Sequence, residues 1–134
     1  MGKPLIYEKG LEQLLSIHAG RNLHAYLNYD AVPATDISFI CVGTPLKDDG
    51  YADLSMISSA CRSLGQSLKD NEGYHVVVVK STVPLGVTEN LVMPSVLEYS
   101  GKEPGEIGFA MNPEFLREGL AIQDFMDPDR IVIG

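Results

Sequence analysis

His75-Val76-Val77-Val78-Val79-Lys80 runs directly into Ser81-Thr82-Val83-Pro84-Leu85-Gly86. Four consecutive valines leave no polar alternation, so neither side of this stretch is built to face water. β-Branched side chains suit an extended backbone. An apolar run without alternation is the pattern of a strand covered on both faces, as in a parallel sheet. The Pro- and Gly-containing turn that follows ends the strand. The same order recurs on either side. Upstream, Ile37-Ser38-Phe39-Ile40-Cys41-Val42 reads as a strand closed by Gly43-Thr44-Pro45. After the turn Lys47-Asp48-Asp49-Gly50, Asp53 stands as N-cap of a helix on which Leu54, Ile57, Cys61, Leu64 and Leu68 recur at three- and four-residue steps. That helix is expected to stop near Asn71-Glu72-Gly73. Downstream, residues 88–99 read as a helix that Pro94 kinks or delays. Residues 107–111 read as a strand, 113–125 as a helix and 131–133 as a last strand. Residues 11–19 look helical, with Gly20 as the stop, and 23–27 suit a strand. Strands alternating with helices through short turns predict an α/β fold with a parallel sheet.

The whole chain has 134 residues, 45% hydrophobic and 21% charged, enough for one core and one domain. Ten Lys and Arg against eighteen Asp and Glu leave a net charge of −8. That sign argues against nucleic acid or an anionic membrane as partner. No apolar run approaches the roughly 20 residues that span a bilayer, and the first residues do not resemble a signal peptide. Two cysteines are too few for a disulfide framework or a zinc site. The expectation is a cytoplasmic domain without a metal.

In open parallel sheets ligands bind beyond the carboxyl ends of the strands. Three segments take that position: Val42-Gly43-Thr44-Pro45, Lys80-Ser81-Thr82-Val83-Pro84, and Met111-Asn112-Pro113-Glu114-Phe115-Leu116-Arg117-Glu118-Gly119. Each sets small polar residues or a carboxylate at a strand end, with proline fixing the exit of the chain. Any one of them alone is a strand terminator. Three at one rim favour a binding site. Glu114 between Pro113 and Phe115, read as a helix start, has the setting of a general base, and Glu118 one turn later would share its face.

These segments, with Asp49-Gly50 and Asp53-Leu54, with Pro128-Asp129-Arg130-Ile131-Val132-Ile133-Gly134, and with Pro4-Leu5-Ile6-Tyr7-Glu8 and Gly10-Leu11, resemble the UDP-glucose/GDP-mannose dehydrogenase family in order and spacing. The resemblance covers essentially the whole chain, and Asn-Pro-Glu-Phe-Leu-Arg-Glu-Gly is its most specific block. Lys-Ser-Thr-Val-Pro and Asp-Arg-Ile-Val look more like the UDP-glucose branch than the GDP-mannose or N-acetylmannosamine branches. The resemblance implies oxidation of the C6 alcohol of a nucleotide sugar to a carboxylate by two NAD⁺, through a thiohemiacetal and a thioester on a cysteine. It implies that Val42, Gly43, Thr44 and Pro45 line the NAD site and that Ser81 and Thr82 approach the nicotinamide. Thr82 would also hold a water or the substrate hydroxyl. Glu114 would activate water, Phe115, Leu116 and Arg117 would offer backbone to the UDP-sugar, and Glu118 would contact NAD.

The chain then resembles an internal slice, residues 1–134 of a partial Rossmann-like, doubly wound sheet without its first two strands. Neither a Gly-x-Gly-x-x-Gly turn nor the family's glycine-rich cysteine motif occurs in it. The expectation is a sheet with an open edge and a chain inactive alone. A fragment of a dehydrogenase for UDP-N-acetylmannosamine or another nucleotide sugar, and a non-catalytic nucleotide-binding module or partner subunit, are the alternatives. Cys41 and Cys61 read as buried small hydrophobes, and His18, His24 and His75 as surface or strand-edge residues. Asp48-Asp49-Gly50 reads as a turn, Lys80 as the polar end of its strand, and Arg130 as an ion-pair partner.

Overall fold

The computed structural model describes residues 3–134; Met1 and Gly2 lie outside the described residues. The order of elements is α1 (Leu11–His18), a short 3-10 turn (Val32–Ala34), β1 (Ile37–Ile40), α2 (Ser55–Leu68), β2 (His75–Val79), a π-helical turn (Thr88–Val92) continuing into α3 (Met93–Ser100), β3 (Ile107–Met111) and α4 (Ala121–Met126). The strands form one parallel sheet in the order β1-β2-β3. Ile37 pairs with Val76, and His75 with Ile107. The valine run is therefore the central strand, and Val77, Val78 and Val79 on it are buried.

The core lies where α2 and α3 cross the sheet. Ile40, Val77, Val79 and Ile107 meet Ile57, Cys61, Leu64 and Leu68 of α2 and Val92 and Val96. Gly65 lets the helices approach: a Cβ there would lie 2.8 Å from both the Tyr99 Cβ and the Val96 carbonyl oxygen. At the start of α2 the Asp53 carboxylate accepts the Ser55 N–H at 2.9 Å, so it caps from one position further out than expected. That bond holds the Asp53 carboxyl below its usual range. Pro94 falls in the first turn of α3, where no N–H is needed, and the Met93 N–H reaches back to the Thr88 carbonyl, which widens the preceding turn. β1 has one neighbour, and Ile37 and Phe39 on it stay about half exposed.

The chain divides into two compact units. One comprises residues 3–27 and 115–131; the other is Asn28–Glu114 with Val132–Gly134 and holds the sheet.

Four expectations need correction. Residues 23–27 form no strand. After α1 the N–H groups of Arg21, Asn22 and Leu23 all turn back onto the His18 carbonyl, leaving one bridge between Ala19 and Leu23. Residues 131–133 form no strand either, although Met111 and Gly134 exchange N–H···O bonds of 2.7 and 2.9 Å, the reciprocal pair of an antiparallel contact. The helix expected over 113–125 is confined to Ala121–Met126. Three N–H groups in or beside its missing turns bond to carboxylates instead of carbonyls four residues back: Arg117 to Asp124, and Gly119 and Ala121 to Glu8. Glu114 and Glu118 thus share no helix face. His75 is buried, not on an edge. Its Nδ1 lies 2.8 Å from the Thr35 carbonyl and carries the proton, since a carbonyl only accepts, and Nε2 meets the Ser38 hydroxyl at 3.0 Å. A buried imidazole is tolerated when both nitrogens are satisfied.

Candidate functional site

Beyond the carboxyl ends of β1 and β2 two loops are sewn together by hydroxyls. The Lys80 and Ser81 N–H groups both donate to the Ile40 carbonyl, at 2.9 and 3.1 Å. The Ser81 hydroxyl donates to the Val42 carbonyl at 2.7 Å, and the Thr44 hydroxyl to the Thr82 carbonyl at 2.7 Å. Small polar residues are needed here because a longer side chain could not reach the neighbouring loop's backbone without filling the space above the strands. The structure thus brings together Val42, Thr44, Ser81 and Thr82, with Gly43 and Pro45 on the same loop. Thr82 is exposed, and its hydroxyl has no partner among the described residues. The Pro45 carbonyl accepts the Asp53 N–H at 2.7 Å, and Lys47 bonds to Tyr51 across the turn at Gly50 (φ +82°). Asp49 accepts the Tyr51 N–H, so Asp48-Asp49-Gly50 is a turn.

β3 joins the same rim. The Asn112 N–H donates to the Val79 carbonyl at 2.9 Å, its side-chain amide donates to the Val132 carbonyl at 2.8 Å, and Lys80 Nζ donates to its Oδ1 at 3.2 Å. Lys80 is therefore more than a polar strand end: it holds the residue that precedes Pro113-Glu114. Glu114 is exposed. Cys41 is exposed too, correcting its expected burial, because it lies on the side of the strand run that carries the half-exposed Ile37 and Phe39, not on the buried side of Ile40. Its thiol is pushed up by partial desolvation, against the opposing charge of Lys80. Cys61 is fully buried, and its thiol is pushed up to about 11 by that burial.

In the other unit Phe115, Leu116, Arg117 and Glu118 lie on an exposed loop. The Arg130 guanidinium stands 5.5 Å above the Phe115 ring, a cation–π contact in place of the expected ion pair. Arg117 forks onto Asp124 through Nε (3.0 Å) and Nη2 (2.7 Å), which holds the Asp124 carboxyl down to about 2. The Arg117 N–H also goes to Asp124 and its carbonyl accepts the Leu120 N–H. What its backbone can still offer a ligand is the carbonyl's second lone pair. Sequence reasoning missed Glu8, Asp124 and the link from Lys80 to Asn112. Glu8 lies 111 residues from Gly119, so no local spacing could reveal it.

Among the described residues no three His, Cys, Asp or Glu side chains cluster as a metal site, and no helix is long and apolar enough to cross a membrane.

Residues 1–134 match the model of the UDP-glucose/GDP-mannose dehydrogenase family, NAD binding domain. The chain belongs to this family. UDP-glucose 6-dehydrogenase AglM of Haloferax volcanii is 44% identical over 134 residues, covering 99% of this chain and 31% of the relative. A ternary complex of GDP-mannose dehydrogenase from Pseudomonas aeruginosa superposes with a TM-score of 0.94 at 43% identity, over 99% of this chain and 31% of that one. A UDP-glucose dehydrogenase from Pyrobaculum islandicum does so with 0.90 at 50% identity and the same coverage. This chain thus spans about a third of the length of these nucleotide-sugar dehydrogenases, over their NAD-binding, Rossmann-like part.

NAD is the cofactor of the family. The β1–β2 rim is chemically compatible with such a cofactor: it presents an exposed Thr82 hydroxyl, without a partner among the described residues, beside the loop Val42-Gly43-Thr44-Pro45. The glycine-rich turn that would cradle a pyrophosphate is not part of this sequence.

Proposed function

We propose that this chain is the NAD-binding part of a nucleotide-sugar 6-dehydrogenase that oxidises UDP-glucose to UDP-glucuronate in two hydride transfers. The observation that carries the reading is the pair of hydroxyl bonds that fix Val42-Gly43-Thr44-Pro45 beside Ser81-Thr82 at the carboxyl rim. NAD⁺ supplies hydride acceptance when bound. The chain's own residues orient and exclude. Val42, Gly43, Thr44 and Pro45 form a wall against which a flat ring can lie, and Ser81 keeps that wall in register with the next loop. Thr82 offers its hydroxyl to a water or to the sugar C6 hydroxyl, in position to take or pass a proton. Glu114, three residues past β3, is the group that activates water for the hydrolytic step. Phe115, Leu116 and Arg117 offer backbone to the UDP-sugar, and Glu118 touches NAD. The cytoplasm, where NAD⁺ and UDP-sugars are at hand, is the proposed location.

GDP-mannose is the second substrate to weigh, because relatives that act on it are 45% and 46% identical to this chain. The preference for UDP-glucose rests on Lys80-Ser81-Thr82-Val83-Pro84 and Asp129-Arg130-Ile131-Val132, and on 50% identity to the Pyrobaculum enzyme.

An NMR titration of the isotope-labelled chain with NAD⁺ tests the site. Amide shifts are expected at residues 42–44 and 81–82, with weaker binding after Thr82→Ala. NAD⁺ that moves none of these amides overturns the reading. The chain alone, given NAD⁺ with UDP-glucose or GDP-mannose, is expected to produce no NADH. Neither cysteine lies in the family's nucleophile motif, and Cys61 is buried.

A further inference from the structure

The loop from Arg117 to Ala121 is held by two carboxylates that come from opposite ends of the sequence. Asp124, inside α4, takes the Arg117 N–H at 2.9 Å and its guanidinium. Glu8 takes the other side. Its two oxygens accept the Gly119 N–H at 2.7 Å and the Ala121 N–H at 3.0 Å. Glu8 is half-buried, and all five residues lie in the same unit. Charge-assisted bonds of this length are about twice as strong as neutral ones. The two clamps fall on either side of Glu118, one residue before it and one after. Gly119 has φ +80°, a conformation that favours glycine, and its N–H is taken by the Glu8 oxygen.

We propose that Glu8 is a positioning residue for NAD binding: by bridging the Gly119 and Ala121 N–H groups it fixes the backbone from which Glu118 reaches the cofactor. The inference rests on the assignment of Glu118 to NAD made above. Glu8 itself touches neither cofactor nor substrate. Without it, Gly119 regains the freedom that a glycine has in an unrestrained loop, and the Glu118 carboxylate samples a range of positions.

The test uses the labelled chain and its variants Glu8→Ala, Glu8→Gln, Glu118→Ala and the double variant Glu8→Ala/Glu118→Ala. Glu8→Ala is expected to speed hydrogen exchange at the Gly119 and Ala121 amides by about tenfold or more, with β2 amides unchanged. Glu8→Gln keeps one acceptor oxygen and is expected to recover part of that protection. In NAD⁺ titrations Glu8→Ala should weaken binding several-fold, and should weaken it no further once Glu118 is alanine, because the two act as a unit. If Glu118→Ala weakens NAD⁺ while Glu8→Ala leaves binding unchanged, or adds its full effect in the double variant, Glu8 does not act through Glu118 and the proposal fails alone. If Glu118→Ala leaves NAD⁺ affinity unchanged, the assignment of Glu118 fails and takes this proposal with it.

Discussion

At the scale of single residues, the two cysteines show what one sequence pattern can hide. Cys41 sits inside an apolar strand run and Cys61 on an apolar helical stripe, so both read as core. Periodicity places Cys61 correctly, because a helix face repeats over several turns and its neighbours Ile57, Leu64 and Leu68 share its burial. For Cys41 the run of apolar letters hides an alternation: it falls on the side of Ile37 and Phe39, which stay about half exposed, and not on that of Ile40, which is buried. The chemistry of the two thiols separates accordingly. A thiolate is the reactive species, and Cys61 combines a pKa near 11 with no access to solvent. Alkylation at mildly alkaline pH should therefore add a single label, at Cys41, more slowly than to a free thiol because its own pKa is raised. A second label should appear only in denaturant. Peptide mass spectrometry reads both sites, and native labelling of Cys61 would contradict its burial in the α2 stripe.

Between elements, the contact that sets the geometry is glycine against backbone. α2 and α3 pack on the same face of the sheet, and Gly65 is the point of closest approach. A methyl group there would sit 2.8 Å from the Val96 carbonyl oxygen and from Tyr99 Cβ, and neither atom can move without its helix. Gly65→Ala should cost about 1–3 kcal/mol by forcing the helices apart, more than the few tenths gained from better helix propensity. Gly108→Ala is the control. The atom it would meet first is the Tyr74 hydroxyl, the far end of a side chain that is 63% exposed and can swing away. A urea midpoint lowered clearly by Gly65→Ala and only slightly by Gly108→Ala, with the denaturant slope unchanged, is the expected result. Equal shifts would mean that helix–helix distance is not what Gly65 protects. The elements legible in the sequence are those with a local cause: β2 from its valines, α2 from its stripe, the turn at Gly50 from its Asp-Asp-Gly. The helix expected over 113–125 was the opposite case. Its first two turns are displaced by carboxylates from Asp124, inside the same segment, and from Glu8, a partner that no window around residue 115 contains.

Across the molecule, burial is divided unevenly between the two units. Every buried residue among those described, from Ile40 to Ile107, belongs to the unit that holds the sheet. The unit built from residues 3–27 and 115–131 has none. Its order comes from carboxylate clamps, the Arg117–Asp124 pair and the stacking of Arg130 on Phe115. This also explains why the sheet was readable and the site only partly so: hydrophobic periodicity records burial, and a loop held by hydrogen bonds across 111 residues leaves no period. The net charge of −8 is no obstacle to an anionic ligand, since backbone and hydroxyl groups at the rim, not bulk charge, would receive it. Stability should follow the same division. Apolar burial sets the free energy of global opening, while exposed hydrogen bonds open locally. In native-state hydrogen exchange the amides of β2 and α2 are expected to be the slowest and to accelerate with low denaturant, as global unfolding requires. Those of α1 and α4 should exchange faster, on the order of a hundredfold, and with little dependence on denaturant. If α1 and α4 instead shared the protection and the denaturant slope of β2, the clamps would be coupled to the core, and the loop that carries Glu118 would be as rigid as the sheet.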